Sequence, residues 1–305
     1  MREPRSPERA KRALPKLVTL SFVLALLSTV LASCAGSGVL RHETVSASAP
    51  AIETEPLRVL LVTGGCCHDY DRQKTVLAEG LSARANVRVT IVHEGGSRDE
   101  NVREQKLSVF LDPTWPEKFD VVVHDTCFGA LADNDYVSSI VDAHEEHGVG
   151  AVILHCGLHS YRNIPEKTWH RFLGVASKRH ERGAPVPVEN ARPSHPIMKG
   201  FPDRWSTPSD ELYVVHETWP GIVTLGLAWG KETRIHHPVI WTNESRDARI
   251  FGVSFGHSNE TVEDERYLDL VARGLLWTAG KLTDEGKPAA GYEPIRAAAA
   301  KEGEA

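Results

Sequence analysis

The sequence of 305 residues has no CxxC pair, no HExxH, no GxGxxG and no GKS/T segment. The first two absences remove the thioredoxin-type redox motif, the paired-cysteine structural zinc site and the helical zinc-protease signature. The last two remove the ordinary glycine-rich phosphate loops, so no nucleotide cofactor is expected. No stretch interleaves basic residues with aromatics, and the formal net charge is −6. That balance argues against nucleic acid as a partner. No internal repeat is visible. What the chain has in excess is histidine, 15 residues in all, several of them close to expected strand ends.

Arg2, Arg5, Arg9, Lys11, Arg12 and Lys16 precede an apolar run from Leu17 to Leu31. The run is too short for a comfortable membrane span, and a basic start before such a run reads as a secretory signal. It ends in Leu31-Ala32-Ser33-Cys34, which resembles the bacterial lipobox. That resemblance implies cleavage before Cys34 and a lipid on its sulfur. The plainer alternatives are an ordinary signal peptide or an N-terminal anchor helix. In each case the body is expected to be exported and held at a membrane, in the periplasm or at the cell surface. The expected organisation is a signal peptide over 1–33, a flexible tether over 34–56, a folded domain over 57–282 and a loose, charged tail over 283–305.

Apart from Cys34, four cysteines remain: Cys66, Cys67, Cys127 and Cys156. Disulfides are permitted in an exported chain. These four lie beside expected strand ends and not at framework spacings, and adjacent Cys66 and Cys67 are not expected to bridge each other.

The apolar runs Leu57–Val62, Val87–Val92, Phe119–His124 and Ala151–Leu154 read as strands. They alternate with helical segments over Arg72–Arg84 and Asp133–His147. This alternation predicts an α/β fold, a parallel sheet with helices on both faces. The second half reads differently. Val186–Asn190, Tyr213–Val215, Ile222–Trp229, Pro238–Trp241 and Arg249–Phe255 look like strands without intervening helices, so an added antiparallel portion is expected. A last helix is expected from about Thr261, with Asp264 in a capping-box-like start and Leu268, Val271, Ala272, Leu275 and Leu276 on its buried stripe.

Chemistry is expected where apolar strands break into polar clusters, because ligands of open α/β sheets sit at the carboxyl ends of the strands. The sharpest break is Val152-Ile153-Leu154-His155-Cys156-Gly157-Leu158-His159-Ser160-Tyr161-Arg162. Packing does not call for that switch. His155 and His159 are four apart, a spacing that metal ligands use on helices, although a turn is equally compatible here. Tyr161 and Arg162 would hydrogen-bond a polyol or a carboxylate. A second cluster is Gly64-Gly65-Cys66-Cys67-His68-Asp69, where Asp69 would serve as a helix cap but His68 exceeds what a cap needs. A third runs from Ser194-His195-Pro196 to Asp210-Glu211-Leu212-Tyr213, with Asp210 and Glu211 as acid, base or supporting groups. A fourth is Ser254-Phe255-Gly256-His257-Ser258-Asn259.

These residues carry a family resemblance. The Gly-Gly…His-Asp turn, His155 with His159-Ser160, His195-Pro196-Ile197…Gly200…Pro202, Asp210-Glu211-Leu212-Tyr213, Pro238-Val239-Ile240-Trp241 and Gly256-His257 resemble the ThuA-like, or trehalose-utilisation, family. The resemblance spans essentially the whole body. It implies a class I glutamine-amidotransferase-like fold, a flavodoxin-like three-layer sandwich with a mainly parallel sheet, and a role in carbohydrate metabolism. In amidotransferases a nucleophilic Cys follows a strand of this kind. Aligning Val152-Ile153-Leu154 with that strand puts His155, not Cys156, at the elbow.

Three functional readings follow. In the leading one the protein is an enzyme acting on a small-molecule carbohydrate. His68, His155, His159 and His257 would hold a divalent metal such as zinc, and His155, His159, Asp69 and Glu211 would carry the chemistry. Tyr161, Arg162 and Asp210 would bind substrate. Neutral histidines would also serve as acid and base without metal. The second reading is a non-catalytic carbohydrate-binding or scaffolding lipoprotein, with Trp205, Trp219, Trp229 or Trp241 stacking on sugar rings. The third is Cys-dependent amide hydrolysis through Cys156. A homo-oligomer is compatible with all three.

Overall fold

The apolar runs become a nine-stranded sheet in the computed structural model, which describes residues 54–98 and 102–295. The leader, Cys34, the tether up to residue 53 and residues 296–305 lie outside the described residues. The strands are β1 (Leu57–Gly65), β2 (Val87–His93), β3 (Val121–Cys127), β4 (Gly150–Leu154), β5 (Val175–His180), β6 (Pro187–Asn190), β7 (Arg204–Ser206), β8 (Tyr213–Thr218), β9 (Val223–Trp229), β10 (His236–Ser245) and β11 (Ala248–Val253). The helices are α1 (Tyr70–Ser82), α2 (Asn134–His147), α3 (Thr168–Leu173), α4 (Asn259–Val262) and α5 (Glu265–Thr278). The sheet order is β2-β1-β3-β4-β11-β10-β9-β6-β7.

The first five of these neighbours are parallel. The rest are antiparallel. β11 is the joint: it runs parallel to β4 and antiparallel to β10. The antiparallel portion therefore continues the parallel sheet edge to edge. β5 and β8 stand apart as a separate antiparallel pair.

Side-chain alternation divides the core between the two faces. Val59, Leu61, Val123, Val152, Phe251 and Val253 pack on one side with Leu77 and Leu81 of α1 and Leu275 of α5. Leu60, Val62, Val122, Ile153 and Ile250 face the other side, against Val137 and Ile140 of α2 and Phe172 of α3. Burying each such aliphatic side chain contributes about 1.5–3 kcal/mol. This is the flavodoxin-like three-layer arrangement. β2 departs from the continuous burial of its neighbours because it is an edge strand, and Ile91 on it is 42% exposed.

The helix ends follow from local chemistry. Asp133 caps α2 by accepting from Tyr136 N, and Gly148 closes it at φ 65. Ser258 caps the short α4, and Asp264 caps α5 by accepting from Arg266 N. The segment after α5 differs from the expected loose tail as far as it is described. Ala289 N donates to Lys281 O, and Asn86 N donates to Tyr292 O at 3.0 Å. The ring of Tyr292, with Lys281 above it, packs on the core. Those backbone bonds and that aromatic hold what composition alone makes look loose. Among the described residues no helix is long and apolar enough to cross a membrane.

Candidate functional site

The carboxyl ends of β1, β3, β4 and β11 meet the start of β8 around a small cavity. Its volume is ≈ 190 Å³, and His68, His159, His180, Glu211, Tyr213 and His257 are among the residues that line it. Each element brings its side chain there for a local reason. β1 ends in Gly64 and Gly65 at φ 131 and 110. A Cβ on Gly64 would lie 1.9 Å from Glu94 O, and one on Gly65 would lie 2.6 Å from Cys127 O. Only glycine lets the chain turn that close to its neighbours, and the turn delivers His68. β4 ends at Leu154, and the next residue, His155, has a φ of 39. That left-handed residue is the elbow, and it aims the imidazole over the sheet edge.

The ring centroid of His68 lies 4.7 Å from that of His155 and 4.9 Å from that of His257. One donor atom from each of His68, His155, Glu211 and His257 falls within 4.8 Å of the others. Glu211 Oε2 is 3.6 Å from His155 Nε2 and 3.5 Å from His257 Nδ1, and its Oε1 is 3.5 Å from His180 Nε2.

Tautomers follow from the partners. His155 Nδ1 faces Ser254 O at 2.9 Å, so Nδ1 carries a proton, and in the neutral ring Nε2 keeps its lone pair. Tyr213 O–H donates to that nitrogen at 3.3 Å. His68 Nδ1 faces Cys66 O at 3.2 Å and Tyr70 OH at 3.1 Å. Its Nε2 is buried with no hydrogen-bond partner, and so is His257 Nδ1.

Burial pushes the His68 imidazole well below its ordinary range, with the charges of His155 and His257 adding to the effect. Burial also lowers His257, again with His155 adding to it. His155 goes the other way: burial opposes its charge, but the facing Glu211 carboxylate and the charge of Asp210 outweigh burial and raise it. Burial would raise the Glu211 carboxyl, yet the facing His155 and the other imidazoles around it, His257 and His180, hold it below its ordinary value. The cluster thus offers electron pairs from His68 and His257, and from His155 once its Nε2 proton is displaced, with one anionic oxygen beside them.

The remaining expected residues are placed differently. His159 turns Nε2 to Ser177 Oγ at 2.8 Å and stacks on Tyr213 at 3.7 Å. Ser177 gives its own hydrogen to Arg179 O, so His159 Nε2 is the donor. Burial, with the Arg162 charge, pushes His159 down to about 2. It forms a wall of the cavity beside the group of four, where Glu211 supplies the fourth donor atom. Asp69 precedes α1 without capping it, accepts from Asn259 Nδ2 at 2.8 Å and pairs with Arg98. Asp210 is buried and accepts from the backbone N–H groups of Glu211, Gly256 and His257. It fixes the loop that carries His257. Tyr161 is buried between Tyr136 and Trp169. Arg162 lines the cavity and donates to Lys178 O at 3.1 Å.

The cysteines depart from expectation. Cys66 is bonded to Cys67, and Cys127 to Cys156. Cys67 lies at φ 83, a turn that brings the adjacent sulfurs together, and the parallel strand ends bring the second pair together. With Cys156 Sγ bonded, no free thiolate stands beside the elbow.

Sequence reasoning passed over Asp125 and His180. Asp125 is buried near the end of β3, and burial pushes its carboxyl up to about 7 against the opposing charge of His155 and the bond from Thr63. Its signal was present: β3 breaks from valines into His124-Asp125-Thr126-Cys127 just as β4 does. His180 had no such signal, because β5 is not an apolar run along its outer half.

The sheet order, the polar cluster at its carboxyl edge and the elbow after β4 define a flavodoxin-like α/β protein with histidine at the elbow. The family model for ThuA, described as trehalose utilisation, matches residues 58–278, and the chain belongs to that family. A putative ThuA-like protein from Parabacteroides merdae is similar in structure, with 22% identity, TM-score 0.59, and coverage of 75% of this chain and 92% of that chain. One from Bacteroides uniformis has 15% identity and TM-score 0.56, over 75% of this chain and 96% of that chain. Comparison with curated protein sequences finds no match.

Proposed function

We propose that the cavity is the active site of an enzyme acting on a sugar or sugar derivative, with a divalent cation such as zinc held by His68, His155, Glu211 and His257. One observation carries this reading. His68 Nε2 and His257 Nδ1 are buried without hydrogen-bond partners, within 4.8 Å of His155 and Glu211 donor atoms. Orphaned buried nitrogens are costly, and a cation would satisfy them together. The donor set of three imidazoles and one carboxylate suits zinc and similar ions. Bound there, a cation would polarise a substrate oxygen and acidify a water molecule.

The chain's own groups complete the site. Ser254 O fixes the Nδ1 side of His155, so that a cation would take Nε2 in place of a proton or the Tyr213 hydroxyl, the supporting role that metal-ligating histidines commonly need. Asp210 holds His257 in place through its backbone. His180 shares Glu211 with the group of four. Arg103 and Arg162 line the same cavity and suit a substrate rich in hydroxyl or carboxylate oxygens. The carbohydrate class rests on the family description.

The non-catalytic sugar-binding reading has less support. Trp205 and Trp241 are buried, and Trp219 lies under Arg171. Trp229 is 42% exposed but lines a different groove, with Leu212 and Glu232. Export with a lipid on Cys34 is part of the proposal, supported by the basic start and the run ending Leu31-Ala32-Ser33-Cys34. Two disulfides suit an oxidising compartment.

The test is metal analysis of protein purified without chelator, paired with a turnover screen of oxidised and unoxidised disaccharides. About one equivalent of metal, lost in His68→Ala together with turnover, is expected. Metal-free protein, or turnover unchanged in His155→Ala, would overturn the reading. Mass spectrometry of the mature N-terminus tests the lipid, and an unmodified Cys34 removes that part alone.

A further inference from the structure

The two disulfides lie against each other at the mouth of the cavity. Cys66 Sγ is 3.8 Å from Cys127 Sγ, so each bond has a sulfur in contact with the other. Their exposure differs sharply. Cys67 is exposed, whereas Cys66, Cys127 and Cys156 are 4%, 6% and 5% exposed. With Tyr70 the three buried cysteines form a small cluster of their own. A structural staple is a weak explanation for the first bond. A link between adjacent residues closes almost no loop and so removes little entropy from the unfolded chain.

We infer that Cys67, Cys66, Cys127 and Cys156 form a thiol–disulfide exchange site that takes a low-molecular-weight thiol at the surface and passes the exchange to the buried bond. The thiolate of the incoming molecule attacks Cys67 Sγ, forming a mixed disulfide and breaking Cys66–Cys67. The released Cys66 thiolate attacks Cys127 Sγ, forming Cys66–Cys127 and breaking Cys127–Cys156. Cys156 leaves as a thiolate and takes the proton that the incoming thiol lost. Two disulfides enter this sequence and two leave it, so no net oxidation has occurred. A second molecule of the thiol then attacks the mixed disulfide, releases the oxidised small molecule and leaves Cys67 as a thiol. The protein has then gained the two electrons that the small thiols gave up. Exchange of this kind depends on access and on which sulfur is attacked. Here the exposed sulfur and the buried contact supply both in order. The inference stands apart from the metal reading, since no step uses a cation.

The experiment uses the mature protein with EDTA present and glutathione as the thiol. Samples are quenched with an alkylating agent and mapped by mass spectrometry. A peptide pair linked through Cys66–Cys127, with Cys156 alkylated, is expected at early times. In the Cys66→Ser/Cys67→Ser variant, opening of Cys127–Cys156 is expected to slow on the order of tenfold or more, because its remaining route is direct attack on a buried bond. Opening at the wild-type rate in that variant would overturn the relay. So would wild-type protein that frees Cys66 and Cys67 while Cys127–Cys156 stays closed. Cys156→Ser gives a second measurement without added thiol. Its free Cys127 is expected to displace Cys67 and to be isolated bonded to Cys66; a free Cys127 beside an intact Cys66–Cys67 bond refutes the contact.

Discussion

Acid should loosen this fold through a histidine pair remote from the cavity. His124 on β3 and His144 on α2 are both buried, with Nε2 atoms 3.1 Å apart. His144 Nδ1 donates to Val149 O at 2.8 Å. His144 Nε2 is therefore bare, and His124 Nε2–H donates to it. The arrangement works only while both rings are neutral. Burial moves His144 from 6.5 down to about 4, and burial with the nearby His144 charge takes His124 well below its ordinary value. Between pH 6.5 and 4 the unfolded chain binds a proton at His144 that the folded chain refuses. Stability therefore falls as pH drops through that window and is fully present above it. The gap at His144 is worth ~3 kcal/mol, and His124 adds to it in the same direction. Urea unfolding at a series of pH values reads the slope. Carboxylates also contribute in acid, so the comparison is with His124→Leu/His144→Leu, which removes both titrations and both ring partners together. Its stability should fall less steeply over this window, by ~1.4 kcal/mol per pH unit for each histidine lost. Parallel curves for the two proteins would refute the neutral-pair argument.

Other outcomes follow from the site. Glu211→Gln keeps the shape but removes the charge facing three imidazoles; retained zinc at a fixed free concentration should drop by about tenfold or more, read by dialysis and elemental analysis. Asp210→Asn puts an amide where backbone N–H groups of Glu211, Gly256 and His257 converge; the lost acceptor should cost ~2 kcal/mol in chemical denaturation and also weaken metal retention by displacing His257. Gly64→Ala forces a Cβ to 1.9 Å from Glu94 O at φ 131; a loss of at least ~2 kcal/mol is expected in the same assay, and a neutral effect would contradict the turn described for β1.

The strands and the switch after Leu154 were legible because they depend on local pattern. An apolar run reports two covered faces, and a sudden polar cluster at its end reports an opening. His68, His155 and His257 stood out for that reason. What was not legible depends on distant pairings. No periodicity tells β11 to turn back from β10 and insert beside β4, or separates β5 and β8 into their own sheet. The pairing of Cys127 with Cys156 is a product of parallel register, with β4 beside β3. His159 illustrates the limit of spacing arguments: four residues from His155, it lies beyond a short 3-10 turn and not on an α-helix. Its ring therefore turns aside to Ser177, while Glu211, far along the chain, brings its carboxylate to His68, His155 and His257.

In the proposed cation site, that carboxylate is carried by different scaffolding from the three imidazoles. His68, His155 and His257 follow strands of the large sheet, whereas Glu211 immediately precedes β8 in the small one. The electrical balance of the centre is consequently decided by the accessory ribbon. A relative that kept the large sheet but reshaped the ribbon would lose the carboxylate that raises His155, would present three imidazoles alone, and would favour softer or less highly charged guests than a chain with the carboxylate in position.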